Sequence, residues 1–530
     1  MQRLVFPRIV QDGTDMVRPL VLSNGDTPVA VFVPEVEQAA LAEARPARVV
    51  LHGYYFTWIT EPRPDLATCL AHETGGSRIA LDARAPAALH RSLTQVLPIS
   101  LSPIPEPRAL YATRLPRATV VAAWEAENRR LRDAARRAVT RLADSRARAA
   151  PEYRGPDRFT SLDRALEEAG LAAVFATSPL HVQAMTGLHV DDILQQHLSA
   201  VYLRGGQELI LLSPSPAGGN GARSERFSDV ADALAHLVRD ALGYEDLHLS
   251  AGTQQFLLDH SLDLRPASGV LRRWETRMAG ANAPGFLLAA MATVQGIEYA
   301  IGRAHEMRRI GRVLTEIDLD SAYQEAVIRF AVAVGLPNGI LPYFNIVQVG
   351  ERTVYPAVPT SAPITERTRT VKFDMGVRVV DGRGLVRGCS DVARTCAFGE
   401  AAMAMDSTLD HVLRESLPRA LRAGIRGSEM YRSGVAALQE REPSFRALGY
   451  LPQGRTVEDY RRDCGHALGR QTPSSVHFLP HDDAIVEEGM VVCLELVWPM
   501  RDEVFAHEDI WLMSHDGPMN ITRHTGWVWT

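Results

Sequence analysis

Three stretches of the 530-residue chain decide its fold: DCGHALGRQTPSSVHFLP (463–480), GMVVCLELVWP (489–499) and HEDIW (507–511). The second stretch is an apolar run that contains one charged residue, Glu495. As a β-strand, this run places four side chains on one face: Val491, Cys493, Glu495 and Val497. The third stretch sets Glu508 among large apolar residues. Because an unpaired buried carboxylate is strongly destabilising, both acids need a compensating charge.

A metal ion is one source of that charge. His466 lies just upstream, in a Cys-Gly-His-Ala-Leu-Gly segment that predicts a turn. Two carboxylates and an imidazole that converge on one interior are typical metal ligands. For a single acid, pairing with one of the many arginines of the chain is the favoured interpretation. The choice between a metal ion and an arginine as the compensating charge therefore depends on whether the chain has further metal ligands.

Two further aspartates occur upstream. The segment VKFDMG (371–376) predicts an alternating strand that carries Asp374, and GCSDVART (388–395) predicts the end of the next strand and contains Asp391. The chain thus has five candidate metal ligands in this order: Asp374, Asp391, His466, Glu495 and Glu508. Four carboxylates exceed what a single catalytic zinc commonly needs. Bridging by Asp391 and Glu508 would hold two ions ~3.5–4 Å apart.

This set of motifs resembles the pita-bread metallopeptidase family, which includes methionine aminopeptidase, Xaa-Pro aminopeptidase, prolidase and creatinase. The family has an Asp after a strand, an Asp in a SDxxRT-like segment, a GHxxG histidine, a Glu in GMVxxxE and a Glu in an ED dipeptide. Each element is present here in that order. The resemblance implies an α/β (α+β) fold whose C-terminal catalytic domain is a curved antiparallel sheet flanked by helices, with the metals in its concave face.

The same resemblance extends to the N-terminal half. The segment LDRALEEAGLAAVFATSPLHVQAMTGLHV (162–190) is similar to the opening of the creatinase N-terminal domain. The predicted domains are a degenerate creatinase-like α/β domain, a linker helix, a second creatinase-like α/β domain and the catalytic domain, at residues 1–115, 116–150, 151–285 and 286–530. The linker is rich in arginine, but interleaved acids indicate a solvated helix and not a nucleic-acid surface.

The resemblance assigns a role to each site residue. One ion takes Asp374 and Asp391, the other takes His466 and Glu495, and both share Glu508. Mostly oxygen ligands with one imidazole suit Mn, Fe, Co or Zn. Two such metal ions make hydroxide available near neutral pH. Glu495 then carries the proton from the attacking water to the leaving nitrogen. His477, which begins a segment similar to the family's HExP motif, donates a hydrogen bond to the tetrahedral intermediate. We interpret His481 and His507 as loop residues.

The sequence departs from the peptidases near the substrate. Ala357 occupies the place of a substrate-side histidine, and Arg462 occupies the place of a further histidine of the proline-specific enzymes. The turn at Asp381–Val386 is inserted between the two aspartates, and the loop GRQTPSS (469–475) lengthens the interval from His466 to His477. The metal ligands are therefore intact, whereas the proton-donating surroundings of a peptidase are not.

These observations leave three alternative functions. The first is a metal-dependent hydrolase that cleaves a C–N bond in a short peptide or small metabolite, as Xaa-Pro aminopeptidase and creatinase do. The second is a non-peptidase enzyme, such as a lyase, that uses the same metals on a small molecule. The third is a catalytically silent interaction module. By resemblance, we expect a homodimer in which N-terminal domains help to close the partner's pocket.

Composition limits the remaining possibilities. The net charge of −6 gives no electrostatic reason to expect nucleic acid as a partner. No apolar run reaches the ~18 residues of a membrane span, and the N-terminus does not fit a signal peptide, so we expect a cytoplasmic protein without membrane contact. The five cysteines lack CxxC spacing. Three of them lie two residues before a candidate ligand (Cys389, Cys464 and Cys493), and packing is favoured over metal ligation for all three.

Overall fold

The computed structural model of the protein divides into two units. The first comprises Met1–Tyr55, Pro62–Ala126 and Pro156–Trp274, and the second comprises Phe56–Glu61, Glu127–Gly155 and Glu275–Thr530. The structure describes residues 2–5, 20–24, 27–34, 49–52, 64–102, 107–141, 148–149, 158–188, 198–206, 208–216, 222–354, 358–459, 463–470, 476–500, 503–523 and 527–528.

The helices, in chain order, are α1 (Leu66–Thr74), α2 (Ala87–Thr94), α3 (Arg117–Arg141), α4 (Arg158–Glu168), α5 (Pro179–Thr186), α6 (Val230–Leu237), α7 (Ala251–Asp259), α8 (Ser268–Arg277), α9 (Ala283–Arg309), α10 (Glu316–Ala333), α11 (Glu400–His411), α12 (Gly427–Gln439) and α13 (Glu442–Ala447). The strands are β1 (Gln2–Val5), β2 (Leu20–Asn24), β3 (Thr27–Pro34), β4 (Val49–His52), β5 (Ile79–Leu81), β6 (Ile99–Leu101), β7 (Leu110–Pro116), β8 (Arg148–Ala149), β9 (Ala173–Ala176), β10 (Ser199–Leu203), β11 (Glu208–Ser213), β12 (Arg223–Phe227), β13 (Leu242–Tyr244), β14 (Leu264–Pro266), β15 (Ile340–Val349), β16 (Thr370–Val380), β17 (Val386–Cys389), β18 (Val392–Ala397), β19 (Gly465–Leu468), β20 (Val491–Met500), β21 (Glu503–Ser514), β22 (Gly517–Asn520) and β23 (Trp527–Val528).

The first unit contains two mixed sheets with a related strand order. Its described strands form one sheet in the order β4-β3-β2-β1-β5-β6 and another in the order β12-β7-β11-β10-β9-β13-β14. Each sheet contains an antiparallel meander of three strands, β1–β2–β3 in one and β9–β10–β11 in the other. The first strand of each meander also pairs with a parallel strand, β1 with β5 and β9 with β13. The two sheets thus share part of their strand order. The domain boundaries stay a prediction, and β7, at the end of the predicted first domain, pairs in the second sheet.

The second unit contains two antiparallel sheets that share one core. The strands β15, β16 and β17 form the first sheet, and β18 also pairs with β16. The second sheet has the order β19-β20-β21-β22. Apolar residues of α9 and α10 pack against both sheets in one continuous cluster, which includes Phe373 of β16 and Ile510 of β21. A second cluster buries Leu438 of α12 together with Leu494 of β20, so helices also cover the face of the second sheet that is opposite Glu495.

The helix α9 lies unusually close to β17. A Cβ atom built on Gly388 would lie 2.4 Å from the backbone nitrogen of Phe286, and one built on Gly285 would lie 2.6 Å from the carbonyl oxygen of Arg387. Any side chain at these two positions would force the helix and the strand apart. The two glycines thus fix the path of the chain just before Asp391.

One helical stretch of the described residues, Ala279–Arg309, has the length and composition of a membrane-crossing helix. It contains α9, and 72% of its apolar window is buried inside the protein. Its apolar side chains pack against α10 and β16. By its packing, this stretch is a core helix of the second unit.

Candidate metal centre

Alternation along β16 positions Asp374. Val371, Phe373 and Met375 are completely buried in the core that α9 forms. Since successive side chains of a strand point to opposite faces, Asp374 lies on the face away from the helices. It is half-buried there. The alternating strand predicted for residues 371–376 is thus confirmed, and it extends from Thr370 to Val380.

Asp391 follows a well-ordered turn between β16 and β17. The carboxylate of Asp381 accepts hydrogen bonds from the backbone N–H groups of Arg383 and Leu385, at 2.8 and 3.1 Å. Its other oxygen lies 3.1 Å from Nη1 of the fully buried Arg387. These contacts show that the turn predicted as an insertion is a folded part of the unit. The chain then passes Asp391, which is buried at 8% exposure, and enters β18.

The other candidate ligands share one face of the second sheet. In the antiparallel register, His466 of β19 pairs with Cys493 of β20, and Glu495 of β20 pairs with Glu508 of β21. Gly465 has a φ of +127°, and a Cβ there would lie 2.0 Å from the carbonyl oxygen of Cys493. Only glycine allows β19 to approach β20 this closely. The turn predicted around His466 is therefore wrong, because residues 465–468 form a strand.

The ligand atoms form two overlapping groups. Carboxylate oxygens of Asp374, Asp391 and Glu508 lie within 4.8 Å of one another. A second group within the same limit joins Glu508 to a ring nitrogen of His466 and to Sγ of Cys493. His466 Nε2 lies 3.7 Å from Oδ2 of Asp391 and 3.7 Å from Oε1 of Glu508. Four of the five predicted ligands thus meet in these groups, with Glu508 common to both.

Glu508 lies in an environment that disfavours its negative charge. Burial, followed by the charges of Asp391, Glu495 and Asp374, raises the pKa of Glu508 well above its usual value. Its side chain is 1% exposed, and among the described residues Oε1 has no hydrogen-bond partner. A divalent cation between the two groups would satisfy this oxygen and offset the repulsion between the acids. The residues present therefore fit a metal centre of oxygen and nitrogen donors.

Arginine does not supply the compensating charge for Glu508 in the described part of the chain. Arg394 donates to the backbone oxygen of Glu508 and forms its ion pair with the neighbouring Asp509. Asp509 is completely buried and also accepts from Arg523 Nε at 2.6 Å and from Asn520 Nδ2 at 3.0 Å. The ED dipeptide thus divides its two acids between opposite faces of β21. Glu508 faces the candidate metal centre, and Asp509 faces a hydrogen-bonded arginine pair.

His507 also differs from its prediction as a loop residue. It lies within β21 at 3% exposure, and its Nε2 is 2.8 Å from Oδ1 of Asp406 in α11. His481, the other histidine predicted in a loop, lies in a turn. The ion pairs around Asp509 and His507 were missed by the sequence analysis. In the sequence, only the position of His507 and Asp509 among apolar residues indicated that these two side chains need partners.

The two predicted catalytic residues lie beside the ligand groups. Glu495 is 4% exposed and faces Glu508 across the strand pair, but it belongs to neither group. His477 forms an isolated antiparallel bridge with His466, and the ring centroids are 6.0 Å apart. Its backbone N–H donates to Oδ2 of Asp482 at 2.5 Å. Ala357 and Arg462 lie outside the described residues, as do residues 471–475 of the lengthened loop.

Part of the second unit matches a known protein family. Residues 288–515, which include all five candidate ligands, match the model of metallopeptidase family M24. The resemblance of this part of the chain to the pita-bread metallopeptidases is therefore confirmed. No curated protein sequence matches the chain significantly.

Solved structures support the fold. The N-terminal domain of the FACT complex subunit SPT16 from chickpea (Cicer arietinum) aligns with a TM-score of 0.51 and 14% identity, over 69% of this chain and 95% of that chain. A recombinant prolidase from Thermococcus sibiricus aligns with a TM-score of 0.50 and 15% identity, over 71% and 98% of the two chains. At these identities the likeness concerns the fold alone. The predicted fold class, an α/β chain with a pita-bread C-terminal domain, is confirmed.

Proposed function

We propose that the chain is a metal-dependent hydrolase that cleaves a C–N bond in a short peptide or small metabolite. The observation that carries this proposal is the buried Oε1 of Glu508, which has no hydrogen-bond partner among the described residues and lies within two converging ligand groups. The match of residues 288–515 to the model of a metallopeptidase family supports it independently. The proposed cofactor is a pair of divalent transition-metal ions (Mn, Fe, Co or Zn), which would provide hydroxide near neutral pH.

Two residues of the protein provide proton transfer and stabilisation of the oxyanion. Glu495 lies opposite Glu508 in the register and is nearly inaccessible to bulk water. It accepts a proton from the attacking water and passes it to the leaving nitrogen. His477 lies next to His466 across an isolated bridge, which supports its role as the hydrogen-bond donor to the oxyanion of a tetrahedral intermediate. Burial of the ligands excludes competing water and strengthens these interactions.

Ala357 supports a second candidate function on the same site. Alanine cannot donate a proton to a leaving nitrogen, and it stands where the peptidases have a histidine. An enzyme that acts on a small molecule, as a hydrolase or a lyase, does not need that donor. A silent interaction module is disfavoured, since such a module gains nothing from a carboxylate, Glu508, whose pKa is raised by burial and by the charges of the neighbouring acids.

The loss of this donor predicts feeble peptidase activity. General acid–base assistance contributes typically ~10²–10⁴-fold in rate, so the fully metal-loaded protein should show weak or no turnover of Xaa-Pro dipeptides and tripeptides. Steady-state kinetics on a panel of such peptides and of small amides measures this. Glu495→Gln is the control, because any turnover that survives this substitution does not come from the site. Wild-type turnover of Xaa-Pro peptides at ~10 s⁻¹ or more, the median for enzymes, would favour the peptidase over the small-molecule enzyme.

We further propose that the protein is a homodimer, an expectation that rests on the family resemblance. Light scattering across micromolar concentrations should give twice the 58.3 kDa mass of the chain. A monomeric mass throughout that range would contradict the proposal.

A further inference from the structure

Cys493 belongs to the ligand cluster by its position in the second sheet. It is completely buried in β20, two residues before Glu495, and it pairs in register with His466. Residues i and i+2 of a strand share a face, so the thiol points to the same side as Glu495. Its Sγ, a ring nitrogen of His466 and a carboxylate oxygen of Glu508 lie within 4.8 Å of one another.

The other two cysteines near candidate ligands are differently placed. Sγ of Cys389 lies 3.1 Å from the carbonyl oxygen of Gly469, which is a good hydrogen bond for a thiol. Sγ of Cys464 is directed to the carbonyl oxygen of Tyr431 at 4.0 Å. Neither belongs to a ligand group of the described residues. For Cys493 the carbonyl oxygen of Asp391 is at 3.8 Å, a long and weak contact, and the thiol also hydrogen-bonds to the side-chain carboxylate of Glu508, so the sulfur lies against a candidate ligand.

A second observation points to a ligand at this place. Oε1 of Glu508 is buried, has no hydrogen-bond partner in the described ranges, and lies 3.7 Å from Nε2 of His466. Two ligands of one ion with bonds of ~2.0–2.3 Å are separated by distances of this size. The group of Cys493, His466 and Glu508 therefore has the spacing of a site with one sulfur, one nitrogen and one oxygen donor.

We propose that Cys493 is a thiolate ligand of the ion that His466 and Glu508 hold, and that this position takes a divalent ion of borderline softness such as Zn²⁺. The inference rests on the proposed metal centre and adds a ligand to it. On binding, the Sγ–H bond breaks, a sulfur–metal bond forms, and the proton passes to water. The other position, with Asp374 and Asp391, offers only oxygen donors and suits a harder ion such as Mn²⁺. The two positions thus differ in their metal preference.

X-ray absorption of the full-length protein tests the proposal directly. With one equivalent of Zn²⁺, the wild type should show a sulfur scatterer at ~2.3 Å in addition to nitrogen and oxygen at ~2.0–2.2 Å. Cys493→Ser should lose the sulfur scatterer. Cys389→Ser, the matched control, removes a buried thiol outside the ligand groups and should retain the sulfur scatterer. Bound zinc without sulfur in the wild type overturns the inference, whether or not the variants fold.

Metal affinity provides the second readout. Cys493→Ser should weaken Zn²⁺ binding by at least ~10-fold, since loss of even an outer-shell partner has an effect of ~10–100-fold. Mn²⁺ affinity should change less than ~3-fold, because manganese prefers oxygen donors. Equal changes for both ions would count against thiolate ligation. If the wild type binds no transition metal at all, the proposed function itself fails; if it binds zinc without sulfur, only this inference fails.

Discussion

Asp391→Asn and Glu508→Gln each lose most of the bound transition metal. Asp391 and Glu508 lie together in one ligand group, and Glu508 also belongs to the other. Both substitutions keep the shape of the side chain but remove the negative charge that a divalent ion needs. The loss in affinity should exceed the ~10–100-fold that removal of an outer-shell partner produces. Elemental analysis of protein purified without chelators measures it, with Glu508→Gln as the more severe change.

Thermal stability gives an independent measurement of metal binding by the wild type and the two variants. An ion present at ~100 times its dissociation constant stabilises the native state by ~2.7 kcal/mol, so added metal should raise the melting temperature of the wild type but not of the two variants. Asp320→Asn is the matched control. Asp320 is a half-buried acid of α10 that accepts from Gln324 and Asn345, outside the ligand groups. Wild-type protein that binds none of Mn, Fe, Co and Zn would refute the metal centre.

Asp509→Ala should destabilise the second sheet by ~3–5 kcal/mol, the usual effect of removing one partner from a buried ion pair. The substitution leaves Arg394 and Arg523, whose side chains are 15% and 21% exposed, without their shared acid. It also removes the acceptor of the Asn520 amide. Because these contacts join β18, β21 and the segment after β22, the effect should be local to that sheet. Hydrogen exchange of peptides from β20 to β22 measures it better than a global transition, which would mix the two units.

A surface ion pair of the same unit is the control for Asp509. Glu325 and Arg329 pair within α10, with side chains 51% and 64% exposed. Since exposed pairs at this spacing contribute ~0.3–0.5 kcal/mol, Glu325→Ala should leave the exchange of β20 to β22 unchanged. If Asp509→Ala also changes that exchange by less than ~1 kcal/mol, the arginine pair does not hold β21 in place.

The features that the sequence predicted correctly are those with a local signal. Alternation in VKFDMG indicates both the strand and the face that bears Asp374, because the period of two is visible within six residues. The same argument places Glu495 on the face of Cys493. In both strands, one face packs against a hydrophobic core, and this packing produces the alternation that is visible in the sequence.

The predictions that failed depend on distant parts of the chain. Gly465 and Gly469 flank His466 and indicate a turn locally, yet pairing with β20 makes the segment a strand. The polar run His507-Glu508-Asp509 indicates a loop, but Asp406 of α11 provides the partner that allows a buried histidine. Propensity is a weak prior where tertiary pairing is available. The partner of a buried polar group is set by the tertiary fold, and one sequence alone does not reveal it.

The sharing of Glu508 between two ligand groups affects when metal can enter during biosynthesis. Asp374 and Asp391 are translated well before the strand β21, and alone they offer an incomplete set of donors. Neither group is complete until β21 has been synthesised and has paired with β20. A ribosome-bound chain that ends at β18 therefore lacks the full donor set of either group. At the proposed metal centre, full coordination of an ion would follow formation of both sheets, so the cellular metal supply would act on the folded protein.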